Sequence, residues 1–574
     1  MAEVEKLITN NIDIWSSSIK AKPTVGRGSS KKFELFGIKK LRELILELAV
    51  CGLLVPQDRN DEPANVLFEK IKEEKTKKTK SLPEIIGKEE PFQLPNGWVF
   101  ARFIDVLDFS GGSQPPKSTF SEEKLDGYVQ LIQIRDLGPK PQPVYVPEDT
   151  VTKLCTSNDI MIGRYGASVG KVFWGKDGAY NVALIKLHND TKVFFNAFLY
   201  NLMLSPIGKS FFTGISRSAQ AGFSKDDIAP KVIPIPPFAE QHRIVAKVDE
   251  LMALCDQLEQ QTEASISAHQ TLVQTLLDTL TKTSKRDGFN QAWTRIAENF
   301  DTLFTTEWSI DQLKRTIIQL AVMGKLVPQN QNDEPAAVLL KKLAIEKKQL
   351  FKNKIIKKPQ ILDEINVQDK PFDLPNGWEW VRFGLLFKSF SNGLYKPAKF
   401  YTDNGVVSLR MYNIQNGLVS FDGVRRVEVE SKELEQFLLE KDDLLINRVN
   451  SKELVGKTAI IPSFPEPLLY ESMNMRAKPF NRYVSSHYLN LFMMTNLAKE
   501  SISSFAKEAV GQASINQAQV GSIKTPLPPL AEQERIVVKV DVLMEICKQL
   551  KSNIIEAQTT QQYLADAITE KTIN

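Results

Sequence analysis

The residues Gly166, Ser168 and Gly170 (GASVG) have the G-x-S-x-G spacing that lifts a nucleophilic serine between a strand and a helix in acyl-transfer enzymes. The segment that follows is strand-like, and His188 is the one nearby histidine downstream, so a plain glycine-bearing loop is the better reading. Ser451 to Thr458 (SKELVGKT) ends as phosphate-binding loops end, but a serine replaces the first glycine and no helical pattern follows. His188, His242, His269 and His487 stand alone, and Cys51, Cys155, Cys255 and Cys547 are far apart, so metal-ligand spacing is absent. There is no glycine-rich cofactor loop and no Asn-Pro-Pro-Tyr type motif of an amino-methyltransferase. The chain reads as non-catalytic, with no cofactor or metal of its own.

What the chain does carry is repetition. Leu48 to Leu67 (LAVCGLLVPQDRNDEPANVL) recurs as Leu320 to Leu339, Pro91 to Phe103 (PFQLPNGWVFARF) as Pro371 to Phe383, and Ile233 to Leu258 as Thr525 to Leu550. The offsets are 272, 280 and 292, so order is kept while the intervening lengths drift. Two tandem units result, about 1–288 and 289–574. Between the matches, 104–227 and 384–519 align only in scattered places. That contrast suggests one scaffold presenting two different recognition surfaces; an old duplication whose loops drifted is the alternative.

Each unit opens with a helical module, in which Leu41, Leu44, Ile45, Leu48 and Ala49 recur at helical spacing until Gly52 ends the run. A second short helix follows, with Pro63 or Pro335 expected in its first turn. The inserts read as strands and loops: Tyr128 to Leu137, Asp159 to Trp174, Val406 to Ile414 and Asp443 to Ile461, with short helices over Phe195 to Leu204 and Ser486 to Thr495. Each unit closes with a helix of about 40–45 residues. Ile244, Val248, Leu251, Cys255 and Leu258, then Leu272 and Leu276, mark one apolar seam. Ile536, Val540, Leu543, Cys547, Leu550, Ile554, Leu564 and Ile568 mark the other. Four-and-three spacing is that of a coiled coil, and Thr262, Ser265 and His269 interrupt the first seam.

Apolar residues are 42% and charged residues 25% of 574, which excludes collagen-like, disordered and disulfide-stapled classes. No apolar run approaches the ~18 residues of a membrane helix, and the acidic N-terminus lacks signal-peptide order, so a cytoplasmic protein is expected. Net charge is +4, from 73 basic and 69 acidic residues, too mild to prove a nucleic-acid partner.

LPNGW (Leu94 to Trp98, Leu374 to Trp378), the P-x-PP-x-AEQ-x-RIV run (Ile235 to Val245, Leu527 to Val537) and the AV-x-G module (Ala49 to Leu53, Ala321 to Lys325) resemble the framework of type I restriction–modification specificity subunits. The resemblance spans nearly the whole chain, with departures at Lys325, where Leu53 stands in the first unit, and in the long stretch 1–90 before the first LPNGW, which repeats the central framework. It implies an α+β fold: two mixed target recognition domains joined by two long helices packed as an antiparallel coiled coil, with a pseudo-two-fold internal repeat. The segments would be an N-terminal framework (1–90), recognition domain 1 (91–238), a central helical region (239–370), recognition domain 2 (371–530) and a C-terminal coiled-coil helix (531–574). Implied partners are double-stranded DNA with a bipartite asymmetric target, two modification (methyltransferase) subunits and restriction/translocase subunits, with no membrane. S-adenosylmethionine, ATP and Mg would belong to those partners. A self-contained hydrolase or nuclease and a purely structural coiled-coil adaptor are the competing readings.

On that resemblance, residues on loops leaving strands are the candidates for DNA contact. In the first domain they are Ser113, Gln114, Arg135, Arg164, Tyr165, Ser168, Lys171, Ser218 and Gln220. In the second they are Lys396, Arg410, Tyr412, Arg448, Asn450, Lys452, Lys457, Gln512, Ser514 and Asn516. Arg164 matches Arg448 and Lys171 matches Lys457; shared positions suit phosphate contact and differing ones suit base reading. For any one of them, an ordinary turn or surface role is as good a reading.

Overall fold

The computed structural model describes residues 2–21, 33–75, 83, 85–214, 222–283, 286–357, 362–509 and 511–573. It divides into two compact units, one comprising 1–266 with 556–574 and the other 267–555. Of the lysine-rich run 70–80, residues 76–80 lie outside the described residues.

In the first unit the opening module is the helix Phe36–Val50, which buries Leu41, Leu44, Ile45, Leu48 and Ala49. Gly52 then turns the chain at φ +73°, and a Cβ there would lie 2.4 Å from Pro95 Cγ and 2.9 Å from the Trp98 ring. Only glycine allows both the left-handed turn and that approach. Gly324, φ +68°, does the same against Pro375 after the helix Glu307–Val322 in the second unit. The short helices follow as Ala64–Lys75 and Ala336–Lys352. Pro335 is the residue that caps the latter, one place outside the first turn where it was expected.

The two inserts share a topology that their sequences do not display. Strands Val99–Arg102 and Val232–Ile235 pair antiparallel and bring the ends of the first domain together; Glu379–Arg382 and Lys524–Leu527 do so in the second. Inside, the first domain has an antiparallel sheet ordered 108–111, 184–188, 160–163, 172–174, and the second one ordered 387–392, 474–479, 444–447, 458–460. A second sheet follows in each, where strand 178–180 lies parallel to 128–132 and strand 468–470 parallel to 406–409. Ile160, Met161 and Ile162 are all buried because that strand has a core on each face: Ile160 and Ile162 join the large core of the unit, Met161 a small one with Ile132 and Leu184. Leu444 and Ile446 likewise turn away from Leu445 into a different core. Burial on both faces is why these strands read as unbroken apolar runs. The short helices are present as Asn196–Leu204 and Ser486–Met494, while the strands expected over Tyr128–Leu137 and Val406–Ile414 end at Ile132 and Leu409 and pass into 3-10 turns at Ile134–Leu137 and Met411–Asn413.

The closing helices are Phe238–Lys282, 45 residues, and Leu530–Ile573, 44 residues, each about 66 Å long at ~1.5 Å per residue. In the first unit Leu258 and Ile266 share a core with Ala565 and Ile568; in the second, Val273, Leu277 and Leu280 share one with Ile536, Val540 and Cys547. In each unit the leading part of one long helix and the trailing part of the other thus contribute to one core. Of the residues expected on the seams, Ile244, Val248 and Leu251 are buried in the first unit's core with Leu258 packed against it, and Ile536 and Val540 in the second unit's with Leu543 and Leu550 packed against it.

The distal halves differ from expectation. Leu272 and Leu564 are 51% and 46% exposed, while Val273, Leu277 and Ala565 are buried. Past Leu258 the inward positions step by four, four and three, through Thr262, Ile266, His269, Val273 and Leu277. An eleven-residue period follows a straight helix more closely than a heptad does, so an extrapolated heptad slips by one residue. Ser265, placed on the seam by that extrapolation, is exposed, and Ile266 takes its position.

The departure at Lys325 has a local cause. Its Nζ donates to the carbonyls of Leu280, Thr281 and Thr283, at 3.4, 3.0 and 2.8 Å, where the first long helix ends. A cation on the last unpaired carbonyls of a helix is a favourable cap.

Candidate nucleic-acid interface

The repeated motifs form a clamp, twice. The indole N–H of Trp98 donates to Glu240 Oε2 at 3.0 Å, and Gln57 Nε2 donates to Glu240 Oε1 at 3.2 Å and to the Gly52 carbonyl at 2.7 Å. In the second unit Trp378 meets Glu532 at 3.0 Å, and Gln329 meets Glu532 at 3.2 Å and Gly324 at 2.8 Å. Burial raises the pKa of both glutamates despite these donors. Arg243 grips Asp61 with both terminal nitrogens, as Arg535 grips Asp333. Gln241 accepts the Phe195 N–H at 2.7 Å and Gln533 the Ser485 N–H at 2.8 Å, fixing the start of the short helix in each insert. LPNGW, VPQ, NDEP and AEQ-x-R are therefore one structural device that fixes an insert to its long helix. None of the anticipated DNA contacts belongs to it.

In the second domain many of those contacts converge. Segment Tyr470–Asn474 is the hub. Glu471, buried, accepts from Arg410 Nε at 2.8 Å and from the Met411 N–H at 3.2 Å. The next carbonyl, Ser472, accepts from Arg448 Nη1 at 3.0 Å, and Met473 accepts the Arg448 N–H at 2.8 Å. Asn447 and Asn474 join by their amides at 3.1 Å, and Asn450 Nδ2 donates to Asn447 at 2.9 Å. Val449 and Asn450 pair with Ser514 and Ala513, which brings Gln512 and Ser514 alongside. Gln517 reaches Asn392 at 3.1 Å on the neighbouring strand. Lys396 is paired with Glu433 at 2.7 Å and lies 4.6 Å from the Phe400 ring centre. Tyr412 is half-exposed and donates to the Gly423 carbonyl. Asn516 caps the helix Gln517–Gly521 through the Gln519 N–H, which gives it a structural task. Lys452 is exposed on its loop.

The first domain is built on the same plan around Tyr180–Leu184. Ser113 N–H donates to Tyr180, Arg164 N–H to Ala183 and Asn181 N–H to Ile132, each near 3 Å. Ser113 Oγ is buried and has no hydrogen-bond partner among the described residues, and Gln114 beside it is exposed. Arg164 reaches the Phe223 carbonyl at 3.4 Å and lies 5.2 Å from the Tyr165 ring, while Tyr165 pairs with Gly222. Arg135 is exposed on the turn Ile134–Leu137. Ser218 and Gln220 lie outside the described residues.

Two matched pairs behave unequally. Arg164 and Arg448 each donate to a backbone carbonyl, so both brace loops. Lys171 and Lys457 hold matching backbone places, their carbonyls accepting from Gly163 at 2.8 Å and Asn447 at 2.9 Å. Lys171 is exposed, whereas Lys457 is half-buried and that burial lowers its pKa. Asn181, Glu471, Asn447, Asn474, Asn392 and Gln517 lie beside those candidates and bond to the same segments, although nothing in their own stretch of sequence singles them out. A signal was available: Tyr180 and Tyr470 each bond a serine hydroxyl, Ser110 at 2.8 Å and Ser391 at 2.7 Å, and F-S-x-G recurs in both inserts.

The enzyme-like motifs resolve into turns. Gly166–Ser168 is a single 3-10 turn linking antiparallel strands, and Ser168, half-buried, is followed by no helix. His188 lies on a strand, 2.7 Å from Ser110 Oγ. SKELVGKT likewise joins antiparallel strands Leu444–Asn447 and Thr458–Ile460. Among the described residues no group of three His, Cys, Asp or Glu could hold a metal ion, and no helix is long and apolar enough to cross a membrane.

Comparison with known proteins agrees on one family. The "Type I restriction modification DNA specificity domain" matches residues 95–268 and 375–557, bounds that begin within each LPNGW and end within each long helix. The chain is 38% identical to the type I restriction enzyme EcoAI specificity subunit of Escherichia coli and 36% identical to the EcoEI specificity subunit, each alignment covering 100% of both chains. The EcoKI specificity subunit of strain K12 is 24% identical over 83% of this chain and 89% of its own.

Proposed function

The chain belongs to the DNA specificity family of type I restriction–modification systems, and from that premise we propose that its two recognition domains each read one half of a bipartite, asymmetric double-stranded DNA site. The repeated helical framework recruits two modification (methyltransferase) subunits and, in the nuclease form, restriction/translocase subunits. S-adenosylmethionine, ATP and Mg act on those partners, and this subunit supplies sequence choice without catalysis. One observation carries the reading: two domains with the same strand order in one four-stranded sheet and the same anchoring clamp present different side chains at equivalent exits. A purely structural adaptor has no use for that difference. Methylome sequencing of a host expressing the chain with its partners tests the proposal. It should return one motif of two unlike half-sites separated by a fixed gap; a single undivided motif would refute it.

A further inference from the structure

The two inserts place the same turn at the exit of the same strand. After Tyr128–Ile132 the buried Asp136 accepts the Gln133 N–H at 2.9 Å; after Val406–Leu409 the buried Asn413 accepts the Arg410 N–H at 2.9 Å. On the parallel partner strand, Asn181 N–H donates to Ile132 at 3.1 Å and Glu471 N–H to Leu409 at 3.0 Å. Backbone geometry therefore equates Gln133 with Arg410 and Asn181 with Glu471. The side chains at these places differ in kind: two amides in the first domain, a guanidinium and a carboxylate in the second.

The Arg410–Glu471 pair is suited to one task. Arg410 is 37% exposed while Glu471 is 9% exposed, and the rings of Tyr401 and Tyr412 lie 5.8 and 5.7 Å from the guanidinium. A phosphate is held mainly by positive charge, which the partner carboxylate here offsets. A base edge is read by direction, and a guanidinium fixed through Nε keeps its two terminal nitrogens as a planar fork. Guanine presents O6 and N7 as the acceptor pair that such a fork matches; adenine presents N6 and N7, which a glutamine amide matches. Resting on the bipartite reading above, we infer that Arg410, positioned by Glu471, reads a guanine in the second half-site, and that Gln133 at the equivalent place reads an adenine in the first.

The test uses the complex of the full chain with its modification subunits. Binding is measured on duplexes carrying the methylome-defined motif and every single-base substitution of it. Arg410→Gln should lower discrimination at one guanine of the second half-site by roughly 10- to 100-fold and leave the first half-site untouched. Arg410→Lys, which keeps the charge beside Glu471 and loses the fork, should do the same. Gln133→Arg should move preference at one position of the first half-site from adenine toward guanine. Glu471→Gln should reduce the same guanine discrimination as Arg410→Gln, at an unchanged salt slope; a merely structural glutamate would weaken all duplexes alike. Three results overturn the inference: a motif with no guanine in the second half-site, Arg410 variants with full discrimination everywhere, or uniform weakening with a salt slope reduced by about one. Failure of the underlying two-reader reading is separately visible, as a wild-type motif that is not bipartite.

Discussion

Trp378→Phe tests whether the shared motifs hold the fold and leave sequence reading to the inserts. Trp378 is buried, at 5% exposure, and its indole N–H is one of two side-chain donors to the buried Glu532 carboxylate. Phenylalanine keeps most of the ring and removes the donor. A hydrogen bond to a charged group contributes about 1.5–3 kcal/mol, and the lost ring volume adds on the order of 1 kcal/mol, so a cost of about 2–4 kcal/mol is expected. Trp98→Phe should cost the same within about 1 kcal/mol, because its clamp repeats the 3.0 and 3.2 Å distances. Trp380→Phe is the control: its indole donates at 3.2 Å to the Phe372 carbonyl from a half-buried site, and the loss should stay near 1 kcal/mol. Urea unfolding of the full chain gives the totals. Amide hydrogen exchange resolves the two units, which need not open together. Costs below about 1 kcal/mol for both clamp variants would refute the argument. So would a changed methylation motif in Trp378→Phe, since the clamp would then be reading DNA.

Further expectations follow from the same structure. Burial raises the Glu240 and Glu532 carboxyls above their ordinary 4.5, so the folded state holds those protons more tightly than the unfolded chain. Their contribution is therefore full below about 4.5 and declines as pH rises through the raised values; wild type should lose more stability across that window than Glu240→Gln/Glu532→Gln, measured by urea midpoints at stepped pH. Leu277→Ala should cost about 2–5 kcal/mol and the exposed Leu272→Ala almost nothing, the reverse of what a strict heptad requires; thermal unfolding decides. Lys171→Ala should weaken DNA binding evenly across sequences and lower the salt slope by about one, with a smaller effect for the half-buried Lys457→Ala, both read from binding titrations in graded salt.

Local rules reached some features of this fold and missed others. The helical modules, the strand–loop–strand pairs and the start of each long-helix seam were legible because burial there follows a short period along one element. The clamp was visible only as repetition: Trp98 and Glu240 are 142 residues apart, and nothing in either neighbourhood says they share a hydrogen bond. The distal seam departs from the heptad because a pattern extrapolated past Leu258 ignores the extra residue that a straight helix gains. At the candidate interface the arginines and lysines stand out in the sequence by their charge, whereas Glu471, Asn447 and Asn474 do not. Their role comes from partners on strands distant in the chain, and an isolated carboxylate or amide carries no such mark. Lys325, conspicuous as a departure between repeats, became explicable once the end of the first long helix lay beside it.

The central claim is that two independent readers share one scaffold, and exchanging one reader tests it most directly. Residues 104–227 lie between the clamp strands Val99–Arg102 and Val232–Ile235, so the segment can be replaced by the corresponding insert of another specificity subunit with those strands kept. Methylome sequencing of a host expressing the exchanged chain with its modification partners should show one half-site replaced, and the other half-site unchanged. A motif in which both half-sites change together, or in which neither does, would contradict the account.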